Sequence, residues 1–545
     1  MKKTLLSLLL FINYFLFSQN TVGTTFINND VYNGLTLFTS STETFLINNC
    51  GQIINQWTSS FPPGNAVYLT GNGNLLRAGR TNSTDIVFGG QGGVVEIFDW
   101  NGNLTWQYFY DTPQHRQHHD VFPMPNGNIL ILAATVITNS EAIQAGRDPS
   151  LLPQSVLYNE QIIEVTPLGF NNATIVWEWN IKDHLIQDFD ATKDNFGDIS
   201  LNPNKLNINF LNGGSGDSNW LHINSIQYNV DLDQIVLSSR NLSEIYIIDH
   251  STTTTEASTS SGGIYGLGGD FLFRWGNPQS YNQGTESDRK LYGQHYPHFI
   301  DTGLVDAGKI ILFNNGNGRT PQFSEVFILD PLTSSPGFYT YVPNTAFGPV
   351  NPNFIYQDPI DPTNFYSHIL SSAQRLPNGN ILICEGRNGR FFEINSNNQM
   401  VWEYFNPVNS NDATIASQGD NPSTFSNVNF RAIKYSTSDP VFSGRDLTPN
   451  APIETNPNIS NCINTLENDD LNFKNTQIYP NPTNSIIKIE SMKEINTIEV
   501  LSMSGQKIIE YYNNDKIDIS KLQNGLYFLK ISFDNTFILK KIIKE

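Results

Sequence analysis

Nine histidines punctuate the chain, at 115, 118, 119, 184, 222, 250, 295, 298 and 368. Most of them share one context. His118 and His119, with Asp120, run into PMPNGNIL; His222 lies in WLHINSIQY before LDQIVL; His295 lies in GQHYPHFI before AGKIILF; His368 lies in YSHILSSAQ before LPNGNIL. Each approaches an Asn-Gly-Asn-type turn and the apolar strand behind it. A neutral imidazole in such a place can serve as nucleophile or proton acceptor. Arginines recur nearby: Arg240 follows LSS, Arg319 ends FNNGNGR, and Arg390 lies in EGRNGRFFEI. Guanidinium forks match sulfate, phosphate or carboxylate oxygens. Cations gathered in an acidic chain therefore suit an anionic group on a ligand. A single histidine beside a turn more often satisfies backbone than does chemistry. His115, His184 and His250 are expected in that class, with Arg375 and Arg387 in structural or solvated positions.

The positioning elements are short strands. Asn-Gly-Asn turns open apolar runs at 72–76, 126–130 and 378–382, with degenerate copies at 232–237 and 307–313. Asn-Gly supplies the positive φ angles that a tight hairpin needs. A second run carries an acid between apolar residues (VVEIFD, IIEVTP, SEIYIID, SEVFILD, RFFEIN), and a third ends on an aromatic residue, near 57, 106, 177, 275, 341 and 402. No sustained helical period appears. These six aromatic ends, with irregular spacing, predict an all-β fold: a six-bladed β-propeller over 19–437. A late strand, NFRAIKY at 429–435, is expected to pair with the N-terminal segment and close the ring. Equivalent positions in different blades would then converge on one polar funnel, a natural small-molecule site. Tryptophans are expected between blades as core packing. The insertions 183–219 and 251–269 are expected on the functional face.

The chain has 545 residues, 31 basic against 51 acidic, for a net charge of −20. That makes nucleic acid and anionic lipid unfavourable partners. Cys50, Cys384 and Cys462 are too few for a disulfide scaffold and lack zinc-finger spacing. Residues 1–18, MKKTLLSLLLFINYFLFS, read as a secretory signal peptide. A Pro- and Asn-rich stretch, 438–472, reads as a linker. Residues 473–545 alternate apolar and polar positions in short runs and predict a small C-terminal β-sandwich. No further segment is long and apolar enough to span a membrane, so the mature chain is expected without a transmembrane segment.

Two resemblances follow. IYPNPTNS, VLSMSGQKI, ISKLQNGLYFLKI and ILKKIIK resemble the sorting domain of type IX secretion cargo. That implies export to the outer-membrane surface or beyond, with the secretion machinery as partner. WLHINSIQYNVDLDQIVLSSRNLSEIYIIDHS, GQHYPHF, FNNGNGR and SSAQRLPNGNILICEGRNGRFFEIN together resemble the arylsulfate sulfotransferase family over roughly 34–447. The resemblance implies a propeller that moves a sulfuryl group from an aryl sulfate to a phenol, with no phosphoadenylyl sulfate, no other cofactor and no metal. His222 and His295 would line the funnel and Arg319 would hold the sulfuryl oxygens. His118, His119, Arg240 and Arg390 would help to bind substrate. The family's covalent histidine is expected on the strand after the fifth Asn-Gly-Asn-type strand, where this chain has Arg390. Arginine stays protonated and is no nucleophile. Two routes stay open: direct transfer, with His222 or His295 deprotonating the phenol and two arginines clamping the sulfuryl group, or His368 standing in for the family's covalent histidine. Two other readings stay open: a metal-dependent hydrolase with imidazole and carboxylate ligands, and a non-catalytic surface propeller that binds sulfated or anionic ligands.

Overall fold

The computed structural model describes residues 20–545, apart from 215, 461, 463–475, 492–494, 503–506 and 534–535. The signal peptide read at 1–18 lies outside the described residues, as does most of 459–472. Two compact units divide at Asn458/Ile459.

The first unit is all-β and propeller-like. Its described residues include six antiparallel sheets of four or five strands, each led by one strand: Pro63–Leu69, His115–Pro123, Ile223–Asn229, His295–Phe299, Ser372–Arg375 and Ala432–Ser436. Each sheet is open. The last lead strand belongs to the first sheet. It pairs antiparallel with Gly34–Ser40, Ala432 opposite Phe38 and Ser436 opposite Gly34. The N-terminal strand Gly23–Ile27 returns the exchange as the outer edge of the last sheet, beside Met400–Phe405. The first and last strands of this unit thus pair across sheets by backbone ladders, as the late strand at 429–435 predicts.

The aromatic ends link each sheet to the next. Trp57 donates its indole N–H to the Asp99 carbonyl at 2.8 Å, Trp106 to Asn172 at 2.9 Å, and Trp275 to Pro349 at 2.7 Å. Trp177 donates to the Thr252 hydroxyl at 3.2 Å, and Trp402 reaches back to Asn49 of the first sheet at 2.7 Å. A buried tryptophan needs a partner for its one polar atom, and the third-to-fourth strand connection of the next sheet supplies it. The fifth sheet departs from the sequence reading. Its outer strand is Phe354–Tyr356, with Val326 opposite Tyr356, not the run near Tyr341. Phe338–Tyr339 instead folds on Thr333–Ser335 as a small separate hairpin. The insertion 330–353 had moved the true aromatic end downstream.

The Asn-Gly-Asn turns join each lead strand to the next strand, so the histidines sit at the opposite end. The insertion 183–219 delivers Asp217, Ser218 and Asn219 to that end. The insertion 251–269 does not reach it: the Tyr265 hydroxyl donates to the Leu232 carbonyl, in the turn at the far end. Residues 438–458, read as linker, lie on the first sheet. Phe442 and Ile453 are buried, and Asn450 donates its N–H to the Ile53 carbonyl at 2.8 Å. Their apolar side chains and paired backbone explain the difference. Cys384 is a buried free thiol.

The second unit has two antiparallel sheets. One contains Gln477–Tyr479, Ile486–Glu490 and Lys516–Asp518; the other contains Lys507–Tyr512, Thr497–Leu501, Gly525–Phe533 and Thr536–Lys544. Ile487, Ile489, Ile498, Val500, Leu529 and Ile531 share its core. Strand alternation puts these side chains on facing sides of the two sheets.

Candidate active site

Each histidine-bearing lead strand starts irregularly. His119, His222 and Tyr296 hold φ of +49°, +49° and +52°, and the ladder register shifts beside them. A bulge with one left-handed residue turns a side chain that would lie against a neighbouring sheet, at a cost of about 1–3 kcal/mol where the residue is not glycine. Imidazoles from successive sheets are brought together this way. The His119 and His222 ring centres are 4.6 Å apart, edge to face.

Their tautomers follow from their partners. His295 Nδ1 lies 2.7 Å from Asn315 Oδ1, which only accepts, so Nδ1 carries the proton and Nε2 keeps its lone pair. Asn219 Nδ2 lies 2.6 Å from His222 Nδ1 and only donates, so His222 carries its proton on Nε2. His119 Nδ1 meets His118 Nδ1 at 2.9 Å. Burial holds His119 and His222 well below the usual imidazole range, reinforced by their mutual neighbours and by Arg240. Burial and the Arg240 charge push His295 down to about 3. The cluster is neutral at ordinary pH.

Arg240 is the cation of this cluster. It is half-buried; among the described residues its side chain donates from Nη1 to Asn241 Oδ1 at 3.3 Å, and no carboxylate pairs with it. Its backbone N–H donates to the His222 carbonyl at 3.2 Å. Arg319 differs. It lies in the loop that begins with Asn315, the partner of His295, but its Nη1 is 2.7 Å from Glu325 and its Nε and Nη2 donate to the Phe323 carbonyl. Arg390 is likewise held by two carboxylates, Glu403 at 2.8 Å and Glu385 at 3.2 Å, and lies over Phe392. Arg319 was expected to hold the sulfuryl oxygens and Arg390 to help bind substrate; each guanidinium is paired with carboxylate from the strands beside it. His118 stands behind His119 with no exposure, and His368 lines another cavity with Arg387 and Tyr366, where burial and the charges of Arg387 and Arg240 hold its imidazole below the usual range. His298 is turned to the Tyr296 carbonyl at 3.2 Å. The structural class holds its members: His184 pairs with Asp270 at 2.7 Å, His250 with Asp233 at 2.7 Å and Glu164 at 3.0 Å, and His115 stacks on Tyr110 at 4.0 Å.

Aromatic rings that the sequence reading passed over pack around these histidines. Phe88 lies 5.0 Å from the His118 ring and 5.7 Å from Tyr158; Phe430 lies 6.2 Å from His119 and 6.4 Å from His295. Phe88 opens FGGQGG, a Gly-rich loop at 88–93. A side chain on Gly90 would meet His119 Nε2 at 2.0 Å, and the residue has φ +84°. That spacing of glycines was the available signal. A cavity of about 510 Å³ opens here, lined by Phe88, Tyr158, Asp217, Asn219, His222 and Asn241. A second, about 830 Å³, holds His368, Arg387 and Arg390. A third, about 570 Å³, is at the turn end and has no histidine or arginine in its lining, so the imidazole chemistry is not there. Among the described residues no group of three or more His, Cys, Asp or Glu is arranged to hold a metal ion.

Fold and site together define an all-β, propeller-like protein with an aromatic-walled cavity, neutral imidazoles and one unpaired guanidinium. Residues 25–431 match the arylsulfotransferase (ASST) family, and the chain belongs to it. Residues 477–545 match the secretion system C-terminal sorting domain, which points to type IX secretion to the cell surface or outside. No curated protein matches the chain. Similar solved structures include a protein of unknown function from Bacteroides caccae, at 11% identity and TM-score 0.38, covering 74% of this chain and 98% of that one. A catalytically inactive virginiamycin B lyase from Staphylococcus aureus with quinupristin is 11% identical at TM-score 0.31, covering 72% and 86%. The Cps50 (Swd1) β-propeller domain of Myceliophteria thermophila is 10% identical at TM-score 0.33, covering 72% and 88%.

Proposed function

We propose that the protein is an exported aryl-sulfate sulfotransferase, with six sheets acting as six blades, that passes a sulfuryl group from an aryl sulfate to a phenol without phosphoadenylyl sulfate. The observation that carries this reading is Arg240: a half-buried guanidinium without a carboxylate, set among His119, His222 and His295. A cation left unpaired in a chain of net charge −20 is suited to an anionic ligand. Arg240 and the Nε2–H of His222 supply donors for the sulfuryl oxygens. Sulfuryl transfer, like phosphoryl transfer, depends chiefly on in-line placement and stabilised equatorial oxygens. Phe88, Tyr158 and Phe430 supply ring faces for aryl groups. The Nε2 lone pairs of His295 and His119 are the available proton acceptors. Transfer is direct: the phenol oxygen bonds to sulfur as the donor's ester bond breaks.

The test is incubation of the secreted protein with 4-nitrophenyl sulfate and a phenol. Release of 4-nitrophenol together with sulfated acceptor is expected. Binding of the ester without release, across a panel of phenols, would leave a surface binding protein instead.

A further inference from the structure

Behind His119 stands a chain of groups that sulfuryl binding does not require. Glu160 is 2% exposed and His118 is fully buried. Glu160 Oε1 accepts the backbone N–H of Ile223 at 3.0 Å, fixing the carboxylate. Its Oε2 lies 3.0 Å from His118 Nε2, close but off the line of the N–H. His118 Nδ1 lies 2.9 Å from His119 Nδ1. A carboxylate only accepts, so the His118 proton is on Nε2 and its Nδ1 is the acceptor. His119 must then donate from Nδ1, which leaves its Nε2 with a lone pair. Among the described residues that nitrogen has no hydrogen-bond partner, and it faces Gly90, where any side chain would cover it.

Resting on the sulfuryl-transfer reading, we infer that His119 is the catalytic base for the phenol acceptor and that Glu160 and His118 are its positioning residues. His295 leans on the neutral amide of Asn315 and on the Gly293 backbone, and it lies near the charges of Arg240 and Arg431. Of the two, only His119 has a carboxylate behind it, Glu160 Oε2 lying 3.0 Å from Nε2 of its partner His118. In the step, the phenol O–H bond breaks and its proton goes to His119 Nε2. The phenol oxygen forms the new O–S bond while the donor's O–S bond breaks. The departing aryloxide takes the proton back, so the cycle ends with the imidazole neutral. The charge that His119 carries meanwhile is shared through Nδ1–H toward His118 and offset by Glu160. A carboxylate behind an imidazole holds its tautomer and stabilises the imidazolium in the same way in a serine-hydrolase triad.

The test separates base catalysis from mere architecture by acceptor acidity. His119→Gln is expected to lower kcat about 10²–10⁴-fold with a weakly acidic phenol, but far less with a strongly acidic phenol already ionised at the assay pH. Glu160→Gln should show the same dependence on the acceptor, with KM for the aryl sulfate unchanged and Glu160→Asp restoring part of the rate. A loss equal for both acceptors would overturn the assignment. Nitrogen NMR of histidine-labelled protein reads the tautomer without turnover: His119 Nε2 is expected unprotonated in the native chain and protonated in Glu160→Gln. A protonated Nε2 in the native chain also overturns it. If instead the native protein transfers nothing from any aryl sulfate, the sulfotransferase reading fails, and the tautomer result stands apart from that failure.

Discussion

Arg431 Nη2 lies 3.0 Å from Asp120 Oδ2, and both side chains are buried. Arg431 immediately precedes the closing strand, and Asp120 follows His119 on the lead strand of the third sheet. Asp120 also accepts from Ile226 N–H at 3.0 Å and from Gln227 Nε2 at 3.1 Å. Arg431 donates to the Tyr68 hydroxyl and lies 3.8 Å from the Tyr296 ring centre. One pair therefore ties together strands from the first, second, third, fourth and fifth sheets, directly under the imidazoles. Removing one partner leaves an uncompensated buried charge. Asp120→Asn is expected to destabilise the first unit by about 3–5 kcal/mol, read as a fall in the urea midpoint with the slope unchanged. An unchanged midpoint would show that ring closure does not depend on this pair.

Arg240 and Arg319 are expected to part company under mutation. Arg240→Ala removes an unpaired cation, so folding stability should change by less than about 1 kcal/mol while affinity for a sulfate ester drops and transfer is lost. Arg319→Ala strands Glu325, which also accepts from Asn314 at 3.2 Å, and should chiefly cost stability. Turnover and thermal melts on both variants decide this. Full activity in Arg240→Ala with a dead Arg319→Ala of native stability would return the anion to Arg319.

Much of this arrangement was legible in the chain. The Asn-Gly-Asn turns and the aromatic ends at Trp57, Trp106, Trp177, Trp275 and Trp402 identify strands because their chemistry is local: a positive φ in one case, an indole needing burial and one acceptor in the other. Family membership and the sorting domain were likewise readable as motifs. The fifth outer strand was not, since Tyr341 and Tyr356 are equivalent as residues and only pairing with Val326 chooses between them. The arginines show the same limit at the site. Arg240, Arg319 and Arg390 look alike in sequence, and what separates them is the carboxylate opposite. For Arg390 that partner was within reach, because Glu385 and Arg390 face each other across the tight turn 386–388. The bulges that turn His119 and His222 have no sequence signature beyond the histidines themselves.

Gly90 tests whether the Gly-rich loop is a wall of the site. Gly90→Ala would place a methyl group on His119 Nε2 and force alanine into φ +84°. The loop must move or the imidazole must turn. Transfer should fall at least about tenfold for roughly 1–2 kcal/mol of lost stability. Gly102→Ala, also at φ +84° but with open space around the added atom, is the control for backbone strain alone. Equal effects on turnover from the two would remove the loop from the site.

Acid and alkali should act through different histidines. His119, His222 and His295 are buried neutral, with His295 at about 3. An unfolded imidazole titrates near 6.5, so below that pH the unfolded chain binds protons that the folded chain refuses. Stability is unaffected by these groups above about 6.5 and falls as pH drops from there toward about 3. Turnover per folded molecule should show no step at 6.5, because the lone pairs persist until the folded values are reached. His250 works in the other direction. Although burial opposes its charge, Asp233 and Glu164 raise it to about 9. Its contribution is complete below about 6.5 and is lost as pH rises through about 9, which His250→Asn should abolish as an alkaline decline of roughly 2–3 kcal/mol. Urea titrations from pH 4 to 10, run beside initial rates corrected for folded fraction, separate the limbs. A rate that falls with a midpoint near 6.5 while the protein stays folded would mean that a histidine of ordinary pKa, not this buried set, carries the proton.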